Sequence, residues 1–180
     1  IAKGRGEHVG YGVVDLVPGG GYYTRILSKL VGPKGKVWAL VPLNAGAPGQ
    51  ARTQQALRIK NGQDGHLPVD DILAIQNITE YSNVEALWQT LTVYDGQFSV
   101  PEQVDAVLTS RNYHALHGKA ANKLDVVAVT KEMFRSLKPG GYYVVSDHSA
   151  AKGTGFSKAD DLGRVDADAG CHQPAPAHDQ

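Results

Sequence analysis

The stretch from Tyr11 to Val41 constrains the fold of this chain more than any other part of it. Tyr11-Gly12-Val13-Val14-Asp15-Leu16-Val17 reads as a buried strand, and Pro18-Gly19-Gly20-Gly21 stops it sharply. Tyr23, Ile26, Leu27 and Leu30 then recur at helical spacing. Gly32-Pro33 closes that helix, because glycine suits the left-handed position after a helix and proline cannot continue one. Lys36-Val37-Trp38-Ala39-Leu40-Val41 is a second buried strand. Strand, glycine turn, helix and strand within about 30 residues form a βαβ unit, which commits the chain to a parallel sheet.

Further elements follow the same alternation. Residues 51–60 read as a helix, and Asn61-Gly62 and Asp64-Gly65 as turns. A third strand is expected at Asn83 to Trp88, with Leu91 to Tyr94 as the competing choice. Val104 to Thr109 is a strand. Leu124 to Leu137 is expected to be a helix with Leu124, Val127, Phe134 and Leu137 on one face; Lys138-Pro139-Gly140-Gly141 breaks it, and Tyr142 to Ser146 forms a fifth strand. The expectation is an α/β fold with a doubly wound, mainly parallel sheet in the order 3-2-1-4-5. Residues 1–10 read as a frayed lead-in, 11–155 as the domain, and 156–180 as a tail without pattern, expected to be disordered.

Composition narrows the partners. Among 180 residues, 18 Lys and Arg balance 18 Asp and Glu, which argues against nucleic-acid binding driven by phosphate attraction. The lone Cys171 excludes an internal disulfide and a cysteine-rich zinc site. No apolar run approaches the ~20 residues that span a bilayer. A cytoplasmic protein acting on a small molecule is the expectation. The chain opens at Ile1 rather than Met, which leaves an N-terminal leader as an open alternative.

In a doubly wound sheet the ligand lies beyond the carboxyl ends of the strands. At the first of these ends sit Asp15, Pro18, Gly19, Gly20 and Gly21, where glycine admits a ligand close to the backbone and the next helix offers free N–H groups. The fourth strand runs into Asn112-Tyr113-His114, with His117 one turn on, and the fifth into Asp147-His148. An amide, a phenol and imidazoles at adjacent strand ends make Asn112, Tyr113, His114 and His148 the candidate catalytic group, with either imidazole able to take a proton near neutral pH. An alternative use of His114, His117, Asp147 and His148 is metal ligation, though no spacing here is specific for it. The other histidines, His8, His66, His172 and His178, lie in polar segments, and Tyr22-Tyr23 reads as helix packing.

The run Val13-Val14-Asp15-Leu16-Val17-Pro18-Gly19-Gly20-Gly21-Tyr22-Tyr23-Thr24 resembles motif I of the class I S-adenosylmethionine-dependent methyltransferases, most closely a bacterial group of predicted methyltransferases with a Pro-Gly-Gly-Gly loop. Residues 101–117 and 133–148 resemble the same group in the same order. The resemblance implies a Rossmann-like methyltransferase fold and S-adenosylmethionine as cofactor. It implies that Asp15 and the backbone of Gly19 to Gly21 hold the methionine portion, with Pro18 in the loop. An acid normally serves the ribose; Leu40-Val41-Pro42 has none, so Asn44 or a water is expected to substitute, and Gln89 is the expected adenine contact. Val17 stands where the motif's first glycine is usual. Family members continue past the fifth strand, whereas here Leu162-Gly163-Arg164-Val165-Asp166 keeps only part of their pattern, so the fold is expected to be C-terminally incomplete. Two alternatives stand beside methyl transfer: a truncated, non-catalytic relative, and a nicotinamide-dependent oxidoreductase. For the latter, Gly19 and Gly21 fit the first two places of Gly-x-Gly-x-x-Gly, but Thr24 holds the third and the following acid is absent.

Overall fold

The computed structural model describes residues 10–43, 48–90, 100–117 and 126–154. Five strands alternate with helices: β1 (Gly12–Leu16), α1 (Tyr22–Val31), β2 (Lys36–Leu43), α2 (Pro48–Lys60), α3 (Pro68–Gln76), β3 (Val84–Thr90), β4 (Val104–Ser110), α4 (Tyr113–Leu116), α5 (Val126–Ser136) and β5 (Leu137–Ser146). The sheet order is β3-β2-β1-β4-β5 and every neighbouring pair is parallel. This is the doubly wound α/β sheet expected from the sequence, with its order reversing between β1 and β4. No helix among the described residues is long and apolar enough to cross a membrane.

Strand alternation sorts the core into two layers. Val14, Leu16, Trp38, Leu40 and Val107 point to one face, where Leu116 of α4 and Val129 and Met133 of α5 cover them. Val13, Val37, Ala39 and Val41 point to the other, covered by Val31 of α1 and by Val69, Ile72 and Ile75 of α3. Asp15 shares the second face and is only 2% exposed.

The buried faces of both helices differ from their apolar stripes in sequence. In α1 the buried residues are Thr24, Ser28 and Val31, with Leu27 packed against the core, while Leu30 is 67% and Ile26 38% exposed. The helix turns its small polar residues inward because they have partners there: Thr24 bonds Asp15, and Ser28 donates to Asn83 Oδ1 at 2.5 Å. Asn83 in turn donates to the carbonyls of Ser28 and Gly32, tying the end of α1 to the entry of β3. In α5, Val129 and Met133 are buried, whereas Val127 and Phe134 are exposed. Leu137 belongs to β5, not to the helix, and pairs with Val104.

β5 starts earlier than expected because Lys138-Pro139-Gly140-Gly141 bulges out between two paired stretches; pairing resumes at Tyr142, opposite Ala106. Asp105 anchors the bulge, accepting from Lys138 Nζ at 2.9 Å and from the backbone N–H of Gly12 at 2.8 Å. β3 follows the first of the two sequence choices. The competing segment, Leu124, the stretch around Leu162 and the expected tail lie outside the described residues, as does all of the lead-in but Gly10.

α3 has no counterpart in the sequence reading. Pro68 opens it with its fixed φ, and the Asp70 carboxylate accepts the N–H of Leu67 at 2.9 Å. Arg52 of α2 pairs with Asp70 at 2.6 Å and lies over the Trp88 ring.

Candidate active site

The carboxyl end of β1 is built from strained and open backbone. Val17 adopts φ 60°, a left-handed conformation in which a β-branched residue is costly. Two bonds hold it: its N–H donates to the Leu40 carbonyl at 3.0 Å, and its carbonyl accepts from Asn112 Nδ2 at 2.8 Å. The residue that departs from motif I thus occupies the conformation glycine would adopt without strain. Arg111, at the matching end of β4, also has φ 60°, with its N–H on the Ser146 carbonyl at 2.7 Å.

The glycines that follow differ from one another. A Cβ on Gly19 would meet only Asn112 Nδ2, at 3.9 Å, and one on Gly20 would meet nothing within 4 Å. A Cβ on Gly21 would lie 2.2 Å from Ile75 Cδ1. Gly21 therefore packs the turn onto α3, while Gly19 and Gly20 leave a cradle open at the head of α1, whose first turn presents free N–H groups. Arg25 Nη1 reaches back to the carbonyl of Gly20 at 3.2 Å.

Asp15 lies on the strand that leads into this loop. The Thr24 hydroxyl donates to its Oδ2 at 2.6 Å. Burial pushes its pKa up from 3.8 to about 6, and the Thr24 bond opposes this only in part.

At the end of β4, Asn112 faces back to β1. Its Nδ2 donates to the carbonyls of Val17 and Ser110, so it is the strut between the two strand ends. His114 and Asp147 join β4 to β5: the imidazole Nδ1 lies 3.0 and 3.1 Å from the two carboxylate oxygens. Asp147 also accepts the backbone N–H groups of His114 and His148, at 2.9 and 2.8 Å. Burial raises its pKa, but these bonds outweigh it and hold the carboxyl below its ordinary range.

The remaining sequence candidates are more scattered. Tyr113 is half-buried, with its hydroxyl bonded to Thr130 of α5 and its ring edge-on to His117 at 5.0 Å. Burial raises the pKa of Tyr113 and lowers that of His117, and burial next to Tyr113 raises that of Tyr143. Both Tyr113 and Tyr143 pack against the core layer under α5. The His148 side chain is exposed. Gln89 stands near the end of β3, opposite Pro42. Asn44 lies outside the described residues. No three His, Cys, Asp or Glu side chains gather as a metal site among the described residues, so His114, His117, Asp147 and His148 do not form the alternative ligand set. Asp147 is named in the sequence analysis as a strand-end residue and an alternative metal ligand; its place one residue past β5, like that of Asn112 two residues past β4, was the available signal for a role with His114.

Asn112→Asp tests the strut. It is isosteric but leaves no donor for two carbonyls, so it is expected to destabilise the fold by about 1–3 kcal/mol. Urea unfolding checks this, and a change under about 0.5 kcal/mol would show that the strut is not needed.

No protein-family model and no curated protein matches the chain. Solved structures do. One is a SAM-dependent methyltransferase from Aquifex aeolicus, 22% identical, with 81% of this chain aligned to 61% of that one at a TM-score of 0.46. Another is the glycopeptide N-methyltransferase MtfA in complex with sinefungin, 16% identical over 79% of this chain and 45% of that one, TM-score 0.46. A third is CrArsM, an arsenic(III) S-adenosylmethionine methyltransferase from Chlamydomonas reinhardtii, 21% identical over 78% and 40%, TM-score 0.49. This chain thus spans less than two thirds of the length of each.

Proposed function

We propose that this chain is the cofactor-binding portion of an S-adenosylmethionine-dependent methyltransferase acting on a small-molecule acceptor. One observation carries the reading: the loop at Gly19 and Gly20, where an added Cβ meets almost nothing, sits at the head of a helix and follows the strand that carries a desolvated carboxyl. The residues suit the cofactor. The α1 N-terminus favours its carboxylate, and Asp15 is a buried acid that a nearby positive charge returns to its ionised form. Gly19 and Gly20 supply close backbone approach. When bound, S-adenosylmethionine supplies a sulfonium methyl group, whose carbon–sulfur electron pair stays with sulfur as the methyl leaves. What the chain contributes is to hold the acceptor in line and to receive its proton.

Thr24 favours this reading over a nicotinamide cofactor. It fills the place of the third glycine of Gly-x-Gly-x-x-Gly, is fully buried between α1 and β1, and spends its hydroxyl on Asp15.

Isothermal titration with S-adenosylmethionine is the test. The wild-type chain is expected to bind, and Gly19→Val to lose binding by more than about tenfold, or about 1.4 kcal/mol. Because Gly19 has φ 55°, Gly20→Val serves as a second variant, at a position whose added Cβ meets nothing within 4 Å. A folded wild-type chain that binds neither S-adenosylmethionine nor S-adenosylhomocysteine ends the proposal. Tighter binding of a nicotinamide dinucleotide replaces it.

A further inference from the structure

We infer that Asp147 is a positioning residue for His114: it holds the imidazole with its proton on Nδ1 and leaves Nε2 to accept the proton of the methyl acceptor. The inference rests on the methyl-transfer reading for the identity of that acceptor, but not for the geometry.

The carboxylate is fixed before the imidazole meets it. Its side chain is 1% exposed, and each oxygen accepts one backbone N–H: Oδ2 from His114 and Oδ1 from His148. Both donors are main-chain groups at the end of a sheet, so the carboxylate has little freedom to turn. Its two oxygens then face Nδ1 at 3.0 and 3.1 Å. An ionised carboxylate only accepts hydrogen bonds, so Nδ1 must be the donor and the neutral ring carries its lone pair on Nε2. The same backbone bonds that orient Asp147 also keep it ionised at neutral pH.

His114 is partly open, with a side chain 20% exposed. It stands two residues beyond Asn112, the strut to the loop of β1, on the carboxyl side of the sheet. This arrangement suits an acceptor whose nucleophilic atom carries a proton: a hydroxyl, a thiol or a protonated amine. The proton passes from that atom to Nε2. The electron pair it leaves forms the bond to the incoming methyl carbon. The imidazolium so formed has Asp147 against its other nitrogen, which offsets the new charge.

The test is the tautomer. Long-range 15N–1H spectra of the uniformly labelled full chain, recorded with His114 neutral, report which ring nitrogen carries the proton. His114→Gln assigns its signals. The wild-type ring is expected to show protonated Nδ1 and bare Nε2. Asp147→Asn is expected to lose that preference, and Asp147→Glu to restore part of it. A wild-type ring protonated on Nε2 overturns the inference, as does an unchanged tautomer in a folded Asp147→Asn variant. Should Asp147→Asn fail to fold, the wild-type spectrum still decides. Failure of the methyl-transfer reading would appear separately, as absent S-adenosylmethionine binding in calorimetry, whatever the tautomer.

Discussion

Replacing Asp15 by asparagine is expected to make the folded chain more stable at neutral pH while weakening its hold on a cationic ligand. The carboxyl is buried, and its pKa rises from 3.8 to about 6 on folding. The folded state therefore binds this proton more tightly than the unfolded chain does. The stability this gives is full below 3.8 and is lost as pH rises through about 6. An interval of roughly two pH units at about 1.4 kcal/mol each amounts to about 3 kcal/mol by neutral pH. The asparagine keeps the shape and still accepts the Thr24 hydroxyl, but its amide N–H takes the place of an oxygen, which offsets part of the gain. The expected result is a variant about 1–3 kcal/mol more stable than wild type near pH 8, the difference shrinking toward pH 4. Urea unfolding across that range measures it; a difference that does not vary with pH would refute the account. Affinity for S-adenosylmethionine should move the opposite way, falling about tenfold or more, because a neutral amide cannot answer an ammonium group. A residue that costs stability and supports binding marks a site kept for use rather than for folding.

Gly21→Val is expected to have the largest destabilising effect of any change in the loop. Two penalties add. Gly21 holds φ 75°, where a β-branched residue costs about 1–3 kcal/mol. Its new Cβ would lie 2.2 Å from Ile75 Cδ1 and 3.0 Å from Ile72 Cδ1, and overpacking of this kind costs about 1–3 kcal/mol more. A loss near 4 kcal/mol is a large share of a typical domain's stability and should bring the unfolding midpoint down steeply. Ile75→Val, which removes the clashing methyl, is expected to return about 1 kcal/mol in the double variant. Gly20→Ala is the control: nothing lies within 4 Å, and the change should stay within about 0.5 kcal/mol. Equal losses at positions 20 and 21 would mean that α3 does not support the loop as described.

The sheet was legible because parallel strands buried on both faces read as apolar runs, and β1, β2 and β4 are such runs. α3 was not. It has Pro68 at its start, Asp70 and Asp71 in its first turn, and Val69, Ile72 and Ile75 at three-residue spacing. The preceding Asn-Gly and Asp-Gly turns drew the reading toward loop, and nine residues give periodicity little room. The helix faces failed for a different reason. Periodicity assumes that apolar residues go inside, but α1 buries Thr24 and Ser28 because Asp15 and Asn83 wait for them across the layer. Such partners are distant in sequence, so a local pattern does not reveal them. For the site, the glycine loop was visible as composition. The division of labour within it was not, since only the position of α3 separates Gly21 from Gly19 and Gly20. Asn112 and His114 were visible as polar residues at a strand end; that one braces the loop depends on the neighbouring end of β1, and that the other meets Asp147 depends on the turn past β5.

The pairing of β1 with β4 carries a consequence for how the molecule assembles. β1, β2 and β3 are neighbours both in chain order and in the sheet, as are β4 and β5. The contact between the two groups links Gly12 to Asp105, 93 residues apart. Loop-closure entropy grows with the length of chain enclosed, so this is the slowest seam to zip. Asp15 and the glycine loop stand on one side of it, Asn112 and His114 on the other. Each half can acquire its own helices and strands with no ligand site existing anywhere. A ligand site that draws on both groups would form only once they meet. A ligand that touches both sides acts as a clasp on the last-formed contact and slows the protein's opening out of proportion to the surface it covers.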